Sequence, residues 1–476
     1  MIKRASFVLG LLMIGLMWTT VAHAEETYDP QPVPYLRSPY VTGDLERDIQ
    51  TADYIISWQM DHGGWNKNSA EVFMSRPWDG TEAKSGWFDG AGNPLGTIDN
   101  NATNDEVLFL ALMYRETGEE RFKEAAIRGI DFLLNMQYES GGWPQVYPTR
   151  GNYSDYVTFN DSAMIRTMNV LTLVRDAGYP FDSDLVDESR RLRTAEALEK
   201  GLDYILKSQI IVDGYPTAWC AQHDPVTYEP REGRSYEHPS ISGSESVGIV
   251  EYLLSLPDPP DEVKKAIVGA IRWFDKVKID DYEYVQADPA GAYFYYKPGS
   301  MTWYRFYEIE TFEPIFSGRL GITHNFHQLE QSARDGYRWA GDWAKDLIQL
   351  KDELPYYKDI SYQLDVERYQ AIKQAKAEAS TGEEVNLAEE ANDDRAADTE
   401  PAETNGSDSA GAMDNTSGSS DSMQSASEGS ASGSISRGNI LLTVVISVVS
   451  ALVMFGFGLL IGMKRKPMWG KWSAGR

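Results

Sequence analysis

Apolar residues recur at helical spacing through the middle of the chain, and several of these runs end at a glutamine. The run at 45–56 leads to Gln59, and the run at 122–134 leads to Gln137. Apolar positions three and four apart predict amphipathic helices. Runs with the same spacing lie at 107–114, 202–206, 247–253 and 263–271. The pattern predicts a body dominated by α-helices.

One phrase recurs where these helices end. Gln59 and Gln137 are each followed by three residues and then by Gly-Gly-Trp, and Gln209 begins a looser copy with Tyr215 in the aromatic place. A period of about 70–80 residues corresponds to one helical hairpin plus one loop. We therefore predict an (α/α)3-type toroid, with long irregular loops and a few short strands on one face.

The Gly-Gly-Trp phrase has two interpretations. Glycine accepts the backbone conformation that ends a helix, and a tryptophan closes the corner that follows. Alternatively, an indole in a surface cleft stacks on sugar rings, which makes Trp143 a candidate substrate contact. The phrase by itself favours the structural interpretation.

Each following helix is expected to open on short polar residues that cap its first amides. These predicted caps are Thr103-Asn104-Asp105, Asn160-Asp161-Ser162 and Ser244-Glu245-Ser246. The long loops that lead to the caps are expected on one face of a rigid scaffold, where functional residues usually lie.

The two ends of the chain differ from the body. Residues 1–24 carry two basic residues, an apolar stretch and an A-x-A site, which is typical of a secretory signal peptide, although a first membrane helix is the alternative. Residues 438–463 include an uncharged apolar run of membrane-spanning length, and the tail at 464–476 is basic. We predict an exported protein on the periplasmic or extracellular face, tethered by this C-terminal helix.

Between these ends we assign an extension at 25–44, a catalytic body at 45–365 and a disordered tether at 366–437. The tether is rich in Ser, Gly and acidic residues, so it buries little apolar surface. Cys220 is the one cysteine, which excludes an internal disulfide. The formal net charge of −28 argues against nucleic acid as a partner. We expect a monomer.

Five loops carry long polar and aromatic motifs. They read GTIDNNAT (96–103), YVTFNDSAM (156–164), PTAWCAQHDP (216–225), GRSYEHPSISGSES (233–246) and TWYRFYEIET with SGRLG (302–321). In content and order these motifs resemble the pectate lyases of polysaccharide lyase family 10. The resemblance implies the toroid fold and the Ca²⁺-dependent β-elimination of α-1,4-linked polygalacturonate or pectin oligosaccharides. The products would be 4,5-unsaturated oligogalacturonides.

The chemistry of that reaction sets requirements on the site. The C5 proton of a uronate is weakly acidic, so the neighbouring carboxylate charge has to be neutralised by calcium or by basic side chains. Arginine is normally always charged, which would make Arg234 a substrate clamp. The resemblance nonetheless implies that Arg234 is the catalytic base.

The resemblance also implies the metal and substrate residues. Asp161 in FND would be a calcium ligand, and Asp99 in TIDN would serve both the metal and catalysis, with Asn100 beside it as a substrate contact. Without the resemblance, Asp161 would be an ordinary helix cap and the TIDN pair a turn. Further substrate contacts are implied at Lys207, Tyr236, Arg305 and Arg319.

Other functions stay open at this point. A toroid glycoside hydrolase would use Asp99 and Asp161 as its acid and base. A catalytically silent pectin-binding surface protein is a further alternative. His223 and Asp224 could also form a histidine–carboxylate pair for acid–base work.

Overall fold

The computed structural model describes Tyr28, residues 30–286 and residues 291–396 of the chain. The body belongs to the unit that ends at Arg395. Its helices are α1 (Leu45–Trp58), α2 (Ala70–Phe73), α3 (Asn104–Thr117), α4 (Glu120–Asn135), α5 (Ala163–Asp176), α6 (Glu188–Ser208), α7 (Glu245–Ser255), α8 (Asp261–Val277), α9 (Gln331–Gly336), α10 (Lys345–Leu350) and α11 (Tyr357–Ala396).

Three helical hairpins, α3–α4, α5–α6 and α7–α8, follow one another in an α/α toroid. Helices α1, α3, α5 and α7 contact one another in turn as an inner row, and α4, α6 and α8 form an outer row. The sequence explains the two rows. Helix α3 is buried on every side from Asn104 to Tyr114, whereas α4 and α8 bury one apolar face only. The predicted (α/α)3-type toroid is confirmed.

The strands are antiparallel and mostly very short. They are β1 (Gly96–Thr97), β2 (Val146–Tyr147), β3 (Val157–Thr158), β4 (Ile211–Val212), β5 (Tyr215–Pro216), β6 (Gln222–His223), β7 (Pro230–Arg231), β8 (Ile241–Ser242), β9 (Ile279–Val285), β10 (Tyr293–Tyr304), β11 (Phe306–Tyr307), β12 (Phe316–Gly318), β13 (Gly321–Thr323) and β14 (Ala340–Gly341). The β9–β10 hairpin is the exception in length, and β14 pairs with the end of β10. Short strands were expected from the sequence, but this long hairpin was not.

The repeated glutamines tie neighbouring hairpins together. Gln59, Gln137 and Gln209 each donate a hydrogen bond from Nε2 to a carbonyl oxygen of an outer helix. The acceptors are Ala125 in α4 at 3.0 Å, Ala197 in α6 at 2.8 Å and Ala266 in α8 at 2.9 Å. A buried amide donor needs such a partner. The repeat therefore fixes the corner between one helix and the next hairpin.

The tryptophan of each corner is buried and bonded to the helix before it. The indole nitrogens of Trp65, Trp143 and Trp219 donate to backbone carbonyls of α1, α4 and α6 at 2.9, 2.8 and 2.8 Å. The prediction that Tyr215 is the third aromatic is therefore wrong. The third corner is longer because the β4–β5 hairpin lies between the glutamine and Trp219.

Two glycines of the corners approach a helix backbone closely. Gly63 has φ +97° and Gly141 has φ +101°. A Cβ at Gly63 would collide with the carbonyl oxygen of Arg128 in α4, and one at Gly141 with that of Lys200 in α6. Both positions require glycine for its backbone conformation and for its small size.

The ends of the chain fall largely outside the described residues. This holds for the predicted signal peptide (1–24), membrane helix (438–463) and basic tail (464–476). Of the helices in the described ranges, none is long and apolar enough to cross a bilayer. The tether expected from residue 366 is helical as far as Ala396, where α11 ends. Early turns of α11 pack on α8, with Asp365 paired to Arg272 at 2.7 Å.

Candidate active site

The N-termini of α3, α5 and α7 meet at one end of the toroid, where the motif loops lie. Short 3₁₀ turns at Asp99–Asn101 and Asn160–Ser162 lead into α3 and α5. Five non-glycine residues here have positive φ, namely Asn100, Asn101, Thr103, Asp161 and Ser162. Such conformations cost about 1–3 kcal/mol each and cluster at functional sites.

The strained turn before α3 is held by hydrogen bonds to the corner. Thr103 Oγ1 donates to the carbonyl of Thr97 at 2.8 Å and accepts from the backbone N–H of Trp65 at 3.1 Å. The hydroxyl is therefore not available to cap α3. Neither Thr103, Ser162 nor Ser244 makes a side-chain capping bond, so the predicted capping roles are wrong.

A cleft of about 500 Å³ opens over these helix ends. It is rich in arginine and in oxygen-bearing side chains and nearly free of apolar ones. Its lining is Arg37, Asn68, Asn100, Asn101, Asp161, Ser162, Arg166, Ser244, Glu245, Arg305, Arg338 and Trp343. Three predicted site residues, Asn100, Asp161 and Arg305, come together here.

Arg305 is the central cation of the cleft. Its Nη2 pairs with Glu245 Oε1 and lies 3.5 Å from Asp161 Oδ1, and its guanidinium stands over the ring of Tyr337 at 5.0 Å. Burial is the largest single effect and would lower the pKa of Arg305. The charges of Glu245, Tyr337, Asp161 and Glu237 together outweigh it, and the pKa lies above its usual value. Arg305 therefore stays charged at the wall of the cleft.

Asp99 does not line the cleft. It is buried, and its Oδ2 accepts from Lys67 Nζ at 2.5 Å. Lys67 in turn lies 4.6 Å from the ring centre of Trp87. The structure therefore places Asp99 beneath Asn100, in an ion pair, whereas Asp161 keeps a half-exposed carboxylate in the cleft.

Arg234 lies beside the cleft and is connected to it through two residues. Its Nη2 and Nε donate to Glu237 Oε1 at 2.5 and 3.1 Å, and the hydroxyl of Tyr337 donates to the same oxygen at 3.1 Å. The ring of Tyr337 then supports Arg305. The hydrogen bond to Glu237 raises the pKa of Arg234, and about half of its side chain is exposed.

The remaining predicted substrate contacts lie elsewhere. Tyr236 and Arg319 line an adjoining cavity of about 230 Å³, which also includes Tyr337. Lys207 does not line either cavity and pairs with Asp203 on α6 at 2.6 Å. The predicted sugar contact of Trp143 is wrong, because this side chain is fully buried in its corner.

The histidine–carboxylate hypothesis is also wrong. His223 is buried and accepts from the backbone N–H of Cys220 at 2.9 Å, and burial lowers its pKa to about 4. The Asp224 carboxylate instead accepts from Arg231 at 3.1 Å. His223 is therefore a neutral structural residue.

Sequence reasoning missed several residues of the cleft. Glu245 was read only as part of a helix cap, and Glu237 lies within a quoted motif without an assigned role. Glu245 is the first residue of α7 and lies near the end of a polar motif, and this position is a signal that could have identified it. Arg37, Arg166 and Arg338 had no local signal, because each depends on which distant segments the toroid brings together.

Comparison with known proteins agrees with this geometry. The model of the family described as pectic acid lyase matches residues 59–348. The chain belongs to this family. It is therefore a polysaccharide lyase. No curated protein matches the chain.

Solved structures of family 10 polysaccharide lyase from Cellvibrio cellulosa are similar to it. One is 33% identical, with a TM-score of 0.58, over 69% of this chain and 99% of that one. The other is an aspartate-to-alanine mutant in complex with trigalacturonic acid. It is 35% identical, with a TM-score of 0.58, over 66% of this chain and 93% of that one.

Proposed function

We propose that this pectate lyase is calcium-dependent and cleaves α-1,4-linked polygalacturonate by β-elimination to 4,5-unsaturated oligogalacturonides. The observation that carries the proposal is the charge of the cleft, where four arginines outnumber the two carboxylates of Asp161 and Glu245. Such a surface attracts a polyanion even on an acidic protein, because local fields decide binding. The trigalacturonic acid bound by the similar mutant lyase supports the same substrate class.

The oxygen atoms of the cleft suit a hard cation such as calcium, with only a few of its ligands supplied by the protein. Asp161 presents a carboxylate, and the buried Asn160 Oδ1 next to it has no hydrogen-bond partner among the described residues. No three His, Cys, Asp or Glu side chains of the described ranges form a metal-binding group. Calcium prefers six to eight oxygens, so substrate and water would complete a site at Asp161.

Asp161 is the residue that would hold the ion, while Asp99 could act only through the turn it shares with Asn100. When bound, calcium supplies Lewis-acid stabilisation of the charge that develops next to the uronate carboxylate. Arg305 orients and neutralises a uronate carboxylate by charge-assisted hydrogen bonds. Asn100 contributes neutral polar contacts at the same edge of the cleft.

Arg234 is proposed to accept the C5 proton. Its ion pair with Glu237 raises its pKa, so the pair has to open and the guanidinium has to release a proton to solvent before it can accept the C5 proton. Tyr337 could then keep Glu237 in place through its hydroxyl. The exposed position of Arg234 beside the Arg305 cluster is consistent with reaching a bound sugar from the side.

The hydrolase alternative finds no support in this geometry. It needs Asp99 and Asp161 as two carboxyls that flank one bond. Asp99 is buried and neutralised by Lys67, so it is not placed to serve as acid or base.

Product analysis on polygalacturonate tests the proposal. We expect unsaturated products with ultraviolet absorbance when calcium is present. Excess EGTA should abolish turnover, and added calcium should restore it. Undiminished turnover in EGTA would contradict the role of the metal, and saturated products would contradict elimination.

We also infer that the protein is exported, tethered by residues 438–463 and monomeric. The composition of residues 1–24 and 438–463 supports the first two statements. Cell fractionation with and without protease treatment tests the location, and sedimentation of the detergent-solubilised chain tests the monomer.

A further inference from the structure

We propose that Arg37 and Arg166 form a carboxylate-binding position that extends the substrate cleft by one galacturonate unit toward the segment before the toroid. The inference rests on the proposed function, since it takes a uronate as the ligand. Neither arginine was assigned a role by the motifs of the loops.

Arg166 is a buried cation without a carboxylate partner in the part of the chain that the structure describes. It lies in the first turn of α5, 5% exposed, and its Nη1 has no hydrogen-bond partner among the described residues. Burial lowers its pKa to about 10, the charge of Arg37 acts in the same direction, and Asp105 opposes both. A buried unpaired charge is costly, and a cation at a helix N-terminus is unfavourable. Arg166 therefore stabilises a ligand rather than the fold.

Arg37 comes from the extension that precedes the family match, which begins at residue 59. The extension is anchored on α3, where the hydroxyl of Tyr40 donates to Glu106 at 2.7 Å and the backbone N–H of Arg37 contacts Asp105 at 3.4 Å. The guanidinium of Arg37 is exposed at the cleft and forms no ion pair within the described part of the chain.

A second cavity of about 170 Å³ continues from the cleft at this point. The two share Arg37, Ser162 and Arg166 as lining residues. Glu251 also lines the second cavity, so its two cations exceed its one carboxylate. The cavity thus presents free guanidinium groups along the continuation of the cleft.

A galacturonate polymer carries one carboxylate per sugar, and the planar guanidinium of arginine binds carboxylates through two parallel bonds. Arg305, which the proposed function places at another uronate, shares its charge with protein carboxylates. The guanidinium groups of Arg37 and Arg166 have no carboxylate partner within 4 Å in the described ranges, which leaves both for the substrate.

The test compares Arg37→Met and Arg166→Met with wild type and with Arg47→Met, an exposed arginine of α1. Initial rates are measured on polygalacturonate and on trigalacturonate. Loss of one charge-assisted interaction is worth roughly tenfold or more in affinity. We expect KM for polygalacturonate to rise about tenfold in both variants with kcat nearly unchanged. KM for trigalacturonate should change less, and Arg166→Lys should fall between Arg166→Met and wild type.

Unchanged KM values would overturn the proposal, as would an equal rise for both substrates or a loss confined to kcat. Circular dichroism checks folding, and if Arg166→Met does not fold, the exposed Arg37→Met decides. Calorimetric titration with polygalacturonate is run in parallel. If wild type releases no unsaturated product, the proposed function fails, yet a tenfold weaker binding by Arg37→Met still supports this position. Equal binding by Arg37→Met and wild type refutes it.

Discussion

The glutamine and tryptophan side chains in the corners of this toroid are hydrogen-bonded, whereas several buried polar groups beside the cleft are not. In the corners, each glutamine amide and each indole N–H has a backbone acceptor. In the cleft, Arg166 Nη1, Arg305 Nε and Asn160 Oδ1 are buried without a hydrogen-bond partner among the described residues. Unsatisfied buried groups lower stability, and these three atoms beside the cleft are groups that a ligand could satisfy.

Backbone strain follows the same division. The first two corners place positive φ on Gly63 and Gly141, where it costs little. The cleft places it on residues with side chains, including Thr103, whose β-branch disfavours this conformation. We infer that the fold depends mainly on the corner residues and that activity depends on the cleft residues. Four measurements test this division.

The largest effect is expected at Arg234. Arg234→Ala should lower kcat on polygalacturonate by about 10³-fold, since a general base contributes 10²–10⁴-fold. Binding of polygalacturonate should change little. The melting temperature should fall, because the substitution leaves the buried carboxylate of Glu237 without its cation, so kcat is measured well below the unfolding transition. Arg231→Ala is a nearby control. Substantial remaining activity in Arg234→Ala would refute the proposed base.

Arg305 tests whether a cleft residue can also support the fold. Arg305→Ala leaves the buried carboxylate of Glu245 without its cation, which should cost about 3–5 kcal/mol in the free energy of unfolding. Adding Glu245→Gln should recover part of that loss in denaturant unfolding. A loss of the same size in the single and the double variant would show that the ion pair is not the cause.

A corner residue should affect stability alone. Gly141→Ala forces a strained φ and a collision with the Lys200 carbonyl, so we expect a loss of about 2–4 kcal/mol. Gly151 also has positive φ but no atom near its Cβ position, so Gly151→Ala should lose only about 1–2 kcal/mol. Below the melting temperature, kcat should stay at the wild-type value. A lowered kcat in folded Gly141→Ala would contradict the inference that corner residues affect stability alone.

The smallest effect concerns pH and the buried carboxyl of Glu106 in α3. Burial, with the charge of Asp105, raises the pKa of Glu106 to about 8. The folded carboxyl therefore keeps its proton where the unfolded one has lost it. Its contribution to stability is complete below about pH 4 and is lost as the pH rises through 8.

Glu106→Gln imitates the protonated carboxyl and can still accept from Tyr40. Relative to this variant, the wild-type free energy of unfolding should fall by about 1 kcal/mol or more between about pH 5 and pH 8. Parallel pH profiles for the two proteins would mean that Glu106 is already ionised in the fold.

Much of the fold could be predicted because it depends on local pattern. Periodicity placed α1, α3, α4 and α7 close to their observed bounds, found only the C-terminal end of α6 and the first part of α8, and the glutamine phrase located the corners. The glutamine phrase failed in the third corner, where the β4–β5 hairpin changes the spacing. Tyr215 was therefore predicted as the corner aromatic in place of Trp219. Sequence reasoning also failed at the caps, since Thr103 Oγ1 is engaged by the corner and not by the amides of α3.

The sequence by itself determined the toroid, the family and the loops that carry Asp161, Arg234 and Arg305. Only the tertiary structure decided which charges meet. It paired Asp99 with Lys67, placed Glu245 under Arg305 and brought Arg37 of the extension beside Arg166. The physical reason is that periodicity acts over a few turns of one helix. A charge is paired or left free by segments far apart in the chain, and only closure of the toroid brings them together.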